Sequence, residues 1–125
     1  MPKILVVDDE PDNRALMTMI LEHLGHEVFA APDGSEGLRV AREQSPALVI
    51  LDMFMPGMSG AQFVKHLRTL PEASAVRIAL YTATEEDGAM RQFMELSGID
   101  YIIPKPSQPE DVMRIVREAL RSTES

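Results

Sequence analysis

Five short apolar runs alternate along the chain with five longer segments in which apolar residues recur at helical spacing. The runs are ILVV (4–7), VFAA (28–31), LVIL (48–51), IALY (78–81) and YII (101–103). The first, third and fourth are nearly continuous, as expected for central strands of a parallel sheet covered on both faces. After the first run, Leu16, Met17, Ile20, Leu21 and Leu24 form one stripe that stops at Gly25. The second helix is expected to begin after Asp33, with Glu36 three residues on, and the third after Ser59, with Gln62 three residues on. The last opens at SQPE, Ser107 to Glu110, with the same spacing, and carries Val112, Ile115, Val116, Ala119 and Leu120 as its buried stripe. Such a (βα)5 alternation implies right-handed crossovers and an open, doubly wound α/β sheet in a three-layer sandwich.

One residue conflicts with this pattern. The run Leu48 to Leu51 reads as a strand buried on both faces, yet it ends in Asp52, where a carboxylate is costly to bury. The chain then breaks at Pro56-Gly57 and restarts at Ser59-Gly60. In an open α/β sheet, ligands bind beyond the carboxyl ends of the strands, near the point where strand order reverses. Those ends carry Asp8-Asp9-Glu10, Asp52, Thr82 and Lys105. Two unit charges ~4 Å apart interact by roughly 4 kcal/mol at an effective dielectric of 20. Clustered carboxylates there need protonation or a bridging cation. Hard oxygen donors without imidazole or thiolate point to Mg²⁺. Each residue alone has an ordinary explanation as a loop, cap or solvated side chain. Four strand ends supplying one chemistry is a stronger signal.

Composition narrows the classes. At 125 residues the chain is read as one domain, residues 1–121, with a polar tail at 122–125. A net charge of −8 argues against nucleic-acid contact through this chain, since phosphate binding needs a basic patch. No apolar run reaches the ~18 residues of a membrane span. The absence of cysteine excludes disulfides and thiolate metal sites, and the cytoplasm is the expected location.

The motifs KILVVDDEP (3–11), LVILDMFMPGMSG (48–60), LYTA (80–83) and YIIPKP (101–106) resemble the receiver domain of two-component response regulators over the whole chain. The intervals separating Asp9, Asp52, Thr82 and Lys105 match that family as well. The resemblance implies a flavodoxin-like sheet of strand order 2-1-3-4-5 and a phosphoacceptor switch rather than a turnover enzyme. Asp52 would take a phosphoryl group from a phosphohistidine on a sensor histidine kinase or phosphotransfer protein. Mg²⁺ would be held by Asp9, Asp52 and the backbone carbonyl of Phe54, with Asp8 acting through water. Lys105 would pair with the phosphoryl oxygens, and Thr82 would hydrogen-bond one of them after transfer. The resemblance also implies a cis Lys105-Pro106 bond, and a downstream effector or covalently linked output domain. The domain would be a monomer or a phosphorylation-dependent dimer. Met90, Met94 and Met113 are candidates for a docking face of the fourth helix, fifth strand and fifth helix, although methionine on a helix is more often core filling.

Two departures from the family pattern affect modulation. The position three before the lysine, usually Tyr or Phe, is Ile102, with Tyr101 one place early. Adjacent strand residues face opposite sides, so Tyr101 cannot substitute, and the usual aromatic rotation is not expected. Phe54, two residues after Asp52, is bulky and apolar where many members are polar, and with Thr84 it flanks the phosphoryl site. Phe54 is expected to slow hydrolysis of the acyl phosphate. Gly88 is expected to loosen the fourth helix by roughly 1 kcal/mol relative to Ala.

Two other functions fit parts of the pattern. A Mg²⁺-dependent phosphatase of the haloacid-dehalogenase type would place an aspartyl nucleophile after the first strand in a DxD pattern, which Asp8-Asp9-Glu10 lacks. A receiver-like module that is never phosphorylated would have no need for the full set Asp8, Asp9, Asp52, Thr82 and Lys105.

Overall fold

The computed structural model describes residues 2–83 and 87–121. Its elements run β1 (Lys3–Val7), α1 (Pro11–His23), β2 (Glu27–Ala31), α2 (Gly34–Gln44), β3 (Leu48–Leu51), α3 (Gly60–Leu67), β4 (Arg77–Thr82), α4 (Gly88–Ser97), β5 (Tyr101–Pro104) and α5 (Pro109–Arg121). The strands form one parallel sheet of order β2-β1-β3-β4-β5, as the alternation and the resemblance predict. The order reverses between β1 and β3, whose carboxyl ends deliver Asp8 and Asp52.

Strand alternation divides the core in two. Leu5, Val7, Val49, Leu51, Ile78 and Leu80 face α2, α3 and α4, packing on Val40, Phe63, Leu67, Met90 and Met94. Ile4, Val6, Leu48, Ile50, Ala79, Tyr81 and Ile103 face α1 and α5, packing on Met17, Leu21, Val112 and Val116. The expected lone conflict is real: β3 is buried along its length, and Asp52 follows it at 8% exposure.

Local capping sets where helices begin. Asp33 accepts from the Glu36 N–H at the start of α2, and Ser59 and Gln62 form a reciprocal capping box at α3. Within the MPGMSG turn, Gly57 has φ +77°, a left-handed conformation that L side chains rarely adopt. At Gly60 a Cβ would come within 2.8 Å of the Met53 backbone, so only glycine lets α3 start so close beneath the Asp52 loop.

Four expectations are corrected. Leu16 lies on the outward side of α1, and the buried stripe is Met17, Ile20 and Leu21. The last helix starts at Pro109, whose missing N–H suits the first helical position, so Ser107 lies outside the helix and its hydroxyl donates to the Pro104 carbonyl. Gly88 is the first residue of α4, directly after the Asp87 cap, where an interior glycine's helix penalty does not apply in full. Met90 and Met94 are buried under the sheet, and Met113 packs partly against the opposite core. Neither Met90 nor Met94 is a free docking surface; the exposed large apolar residue of α4 is Leu96. The bond Lys105-Pro106 is cis, as expected. No described helix is long and apolar enough to cross a membrane.

Candidate functional site

The sheet itself aims the acidic residues. The Asp8 N–H donates to the Ala31 carbonyl at 3.2 Å and the Asp52 N–H to the Val7 carbonyl at 2.9 Å, so both continue ladder pairing just past their strands. Their side chains therefore meet over the β1–β3 seam. One carboxylate oxygen from each of Asp8, Asp9 and Asp52 lies within 4.8 Å of the other two. Asp8 is 1% exposed.

The neighbouring donors are specific. Lys105 Nζ donates to Asp8 Oδ2 at 3.0 Å and lies 3.6 Å from Asp52 Oδ2. Asp8 Oδ1 accepts from the Glu10 N–H at 2.9 Å, a short-range bond that turns the chain into Pro11 and α1. Arg14 Nη1 donates to the Asp8 carbonyl at 2.7 Å. Asp52 Oδ1 accepts from the Phe54 N–H at 3.1 Å, which orients the Phe54 peptide within the loop after β3. Burial pushes the Asp52 carboxyl above the usual aspartate range. The Phe54 N–H and Lys105 oppose that rise, while Asp8 and Asp9 add to it.

Thr82 ends β4, and its carbonyl accepts the Lys105 N–H at 3.0 Å, which ties the lysine's backbone to the hydroxyl-bearing residue. Thr82 is 3% exposed. Phe54 is 62% exposed and lines an apolar cleft of about 230 Å³ with Met53, Asp87, Ala89, Met90 and Phe93. Tyr101 packs with the α1/α5 core and Ile102 with the opposite one, so the two face different sides as strand geometry requires. Thr84, named with Phe54 as a modulating residue, lies outside the described residues.

A family model described as "Response regulator receiver domain" matches residues 4–117. This chain belongs to that family. Among curated relatives of this receiver domain, protein PilH of Pseudomonas aeruginosa is 31% identical over 96% of this chain and 98% of its own length. Among solved structures, the chemotaxis protein CheY4 of Vibrio cholerae superposes with a TM-score of 0.91 at 31% identity, covering 96% of this chain and 99% of that one. The receiver domain of sensor histidine kinase PA1611 from P. aeruginosa PAO1, with magnesium coordinated in its active-site cleft, superposes with a TM-score of 0.85 at 25% identity over 96% and 98%. Several other curated relatives, among them regulators described as DNA-binding or transcriptional, are about twice as long, and the receiver domain spans about half of each. Receiver domains are phosphoacceptor switches of two-component signalling, interact with histidine kinases and effectors, and bind Mg²⁺ at an acidic pocket.

Three contributors escaped the reading of the sequence. Tyr81 lies under Lys105, with the ammonium 4.6 Å from its ring centroid. Arg14 and Asp87 hold the chain at the start of α1 and α4. Asp87 before a helical segment carries a recognisable cap signal; Tyr81 and Arg14 carry none, because their partners are distant or backbone atoms.

Proposed function

We propose that Asp52 is the phosphoryl acceptor of this receiver domain. The observation that carries the reading is the convergence of three carboxylates within 4.8 Å, with one ammonium reaching two of them, at the strand-order reversal. The donor set fits Mg²⁺: all oxygens, with more negative charge than Lys105 alone offsets. Both Asp8 oxygens are already engaged, by Lys105 and by the Glu10 N–H, which supports a water-mediated role for Asp8. Asp9, Asp52 and the Phe54 carbonyl would hold the ion directly. When bound, it would supply neutralisation of the negative charge spread over the transferring phosphoryl group.

An Asp52 carboxylate oxygen attacks phosphorus in line with the leaving imidazole. The new P–O bond forms as the P–N bond breaks, and its electron pair returns to the imidazole nitrogen of the partner's phosphohistidine. Lys105 donates to the equatorial oxygens, giving up part of its hold on Asp8. The Thr82 hydroxyl then donates to a phosphoryl oxygen of the acyl phosphate, which draws the end of β4 toward the site. The domain assists its own phosphorylation and dephosphorylation and is not a turnover enzyme. Its donor is a sensor histidine kinase or phosphotransfer protein, and its readout is a downstream effector or linked output domain. It acts in the cytoplasm, without nucleic-acid contact of its own, as a monomer or a phosphorylation-dependent dimer. Residues 1–121 form the functional unit and 122–125 a polar tail.

Acetyl phosphate with Mg²⁺ tests the reading. Wild-type protein gains the mass of one phosphoryl group, and Asp52→Asn does not. No gain in wild type, or an equal gain in Asp52→Asn, would overturn it. Sustained phosphate release from many esters would instead favour a phosphatase.

A further inference from the structure

Tyr81 precedes Thr82 on β4 and has no part in the chemistry above. Its ring is buried on the α1/α5 side of the sheet, among residues of that core. The Lys105 ammonium sits over the ring, 4.6 Å from the centroid, while it donates to Asp8 and lies 3.6 Å from Asp52. We propose that Tyr81 is a positioning residue for Lys105, its π face holding the ammonium at the rim in the orientation that meets an incoming phosphoryl group. The proposal rests on the reading of Asp52 as acceptor and deepens it.

A lysine ammonium is a compact charge on a flexible four-carbon stem, so its position must be imposed. Asp8 alone would draw it toward the β1 side, away from the acceptor. A further carboxylate beneath it would compete for the N–H groups that the phosphoryl oxygens require. An aromatic face attracts the cation without accepting a directed hydrogen bond, and more strongly where water is excluded. Strand register makes the platform rigid. Tyr81 pairs with Ile103 across the β4–β5 ladder, and the Lys105 N–H bonds to the Thr82 carbonyl, so the lysine stem leaves its backbone beside the ring. The phenol is neutral near pH 7 at its ordinary value of about 10, and burial pushes it higher still.

The test combines Tyr81→Leu, Tyr81→Met and Tyr81→Phe with and without Lys105→Ala. Phosphorylation from acetyl phosphate and Mg²⁺ is followed by mass, and urea denaturation is measured without metal on the same proteins. Leu and Met are expected to slow phosphorylation roughly three- to tenfold. Phe is expected to restore the rate to within about twofold, because its ring face remains. In the Lys105→Ala background the ring substitution adds no further loss, and the denaturation cycle shows a coupling between the two residues. The proposal is overturned if Leu costs as much without Lys105 as with it, if Phe is as impaired as Leu, or if the cycle shows no coupling. Should Leu weaken folding, Met keeps a flexible apolar filling at the same place. A wild type that takes no phosphoryl group defeats the acceptor reading alone, and the denaturation cycle still decides the Tyr81–Lys105 contact.

Discussion

Lys105 is held closer to Asp8 than to Asp52, at 3.0 Å against 3.6 Å, so the lysine rests on a neighbour of the proposed acceptor. Asp8 is almost wholly buried and depends on that ammonium. Lys105→Ala is expected to lower stability in metal-free buffer by about 1.5–3 kcal/mol, the range for a lost hydrogen bond to a charged group. Saturating Mg²⁺ should recover part of the loss. Urea denaturation with and without the ion measures both; a variant as stable as wild type without metal would show that Asp8 does not need the lysine.

Asp52→Asn is expected to stabilise the metal-free protein at pH 7. Burial raises the Asp52 carboxyl in the folded state, so the fold binds that proton more tightly than the unfolded chain does. The contribution is stabilising below the ordinary aspartate value of about 3.9 and is lost as pH rises through the elevated folded value. Above both, wild type carries an ionised, partly desolvated carboxylate that the amide avoids. Thermal midpoints from pH 3.5 to 8 should show the advantage of Asn growing with pH. Magnesium should raise the midpoint of wild type more than that of the variant. An advantage that is constant across pH would contradict the electrostatic cause.

Phe54 contributes its N–H to Asp52 and its ring to the cleft against α4. Phe54→Asn preserves the backbone and admits water beside Asp52, so the acyl phosphate proposed there should hydrolyse faster, by less than about tenfold. Phosphoryl lifetime after removal of acetyl phosphate is the readout. An unchanged or longer lifetime would mean that the ring shields only the cleft.

Arg68 ties three segments together. Its guanidinium donates to the Val76 carbonyl at 2.6 Å and to the Ser97 carbonyl at 3.1 and 3.3 Å, the latter at the carboxyl end of α4. Arg68→Ala should cost about 1–3 kcal/mol by leaving these carbonyls unpaired. Arg68→Lys should restore less than half, since an ammonium cannot span both with one planar fork. Denaturant midpoints of the two variants decide this; full recovery by lysine would show that charge alone matters.

Legibility in the sequence followed the range of the interaction. The strand runs, the Asp33 cap and the Ser59–Gln62 box depend on residues within four positions of each other, and all stand in the structure. The rim residues were readable because strand ends in a doubly wound sheet share one edge. Leu16 was misplaced because a stripe of five apolar residues is wider than the contact a short sheet face offers. Ser107 was misread because Pro109, already suited to the first helical position, set a later start than the serine spacing implied. Tyr81 and Arg68 were invisible for another reason. Their partners come from separate elements, and no local pattern marks an aromatic as a seat for a cation or an arginine as a clamp.

The Arg68 clamp also makes the two ends of α4 unequal. The carboxyl end is stapled to the β4 entrance, whereas the amino end meets the cleft beside Phe54 through the Asp87 cap. A helix of ten residues is a rod of roughly 15 Å, so a tilt of about 10° around the stapled end sweeps the other by roughly 2.6 Å. Any tilt of α4 about its stapled end would therefore be silent at Ser97 and amplified at Asp87, beside Phe54.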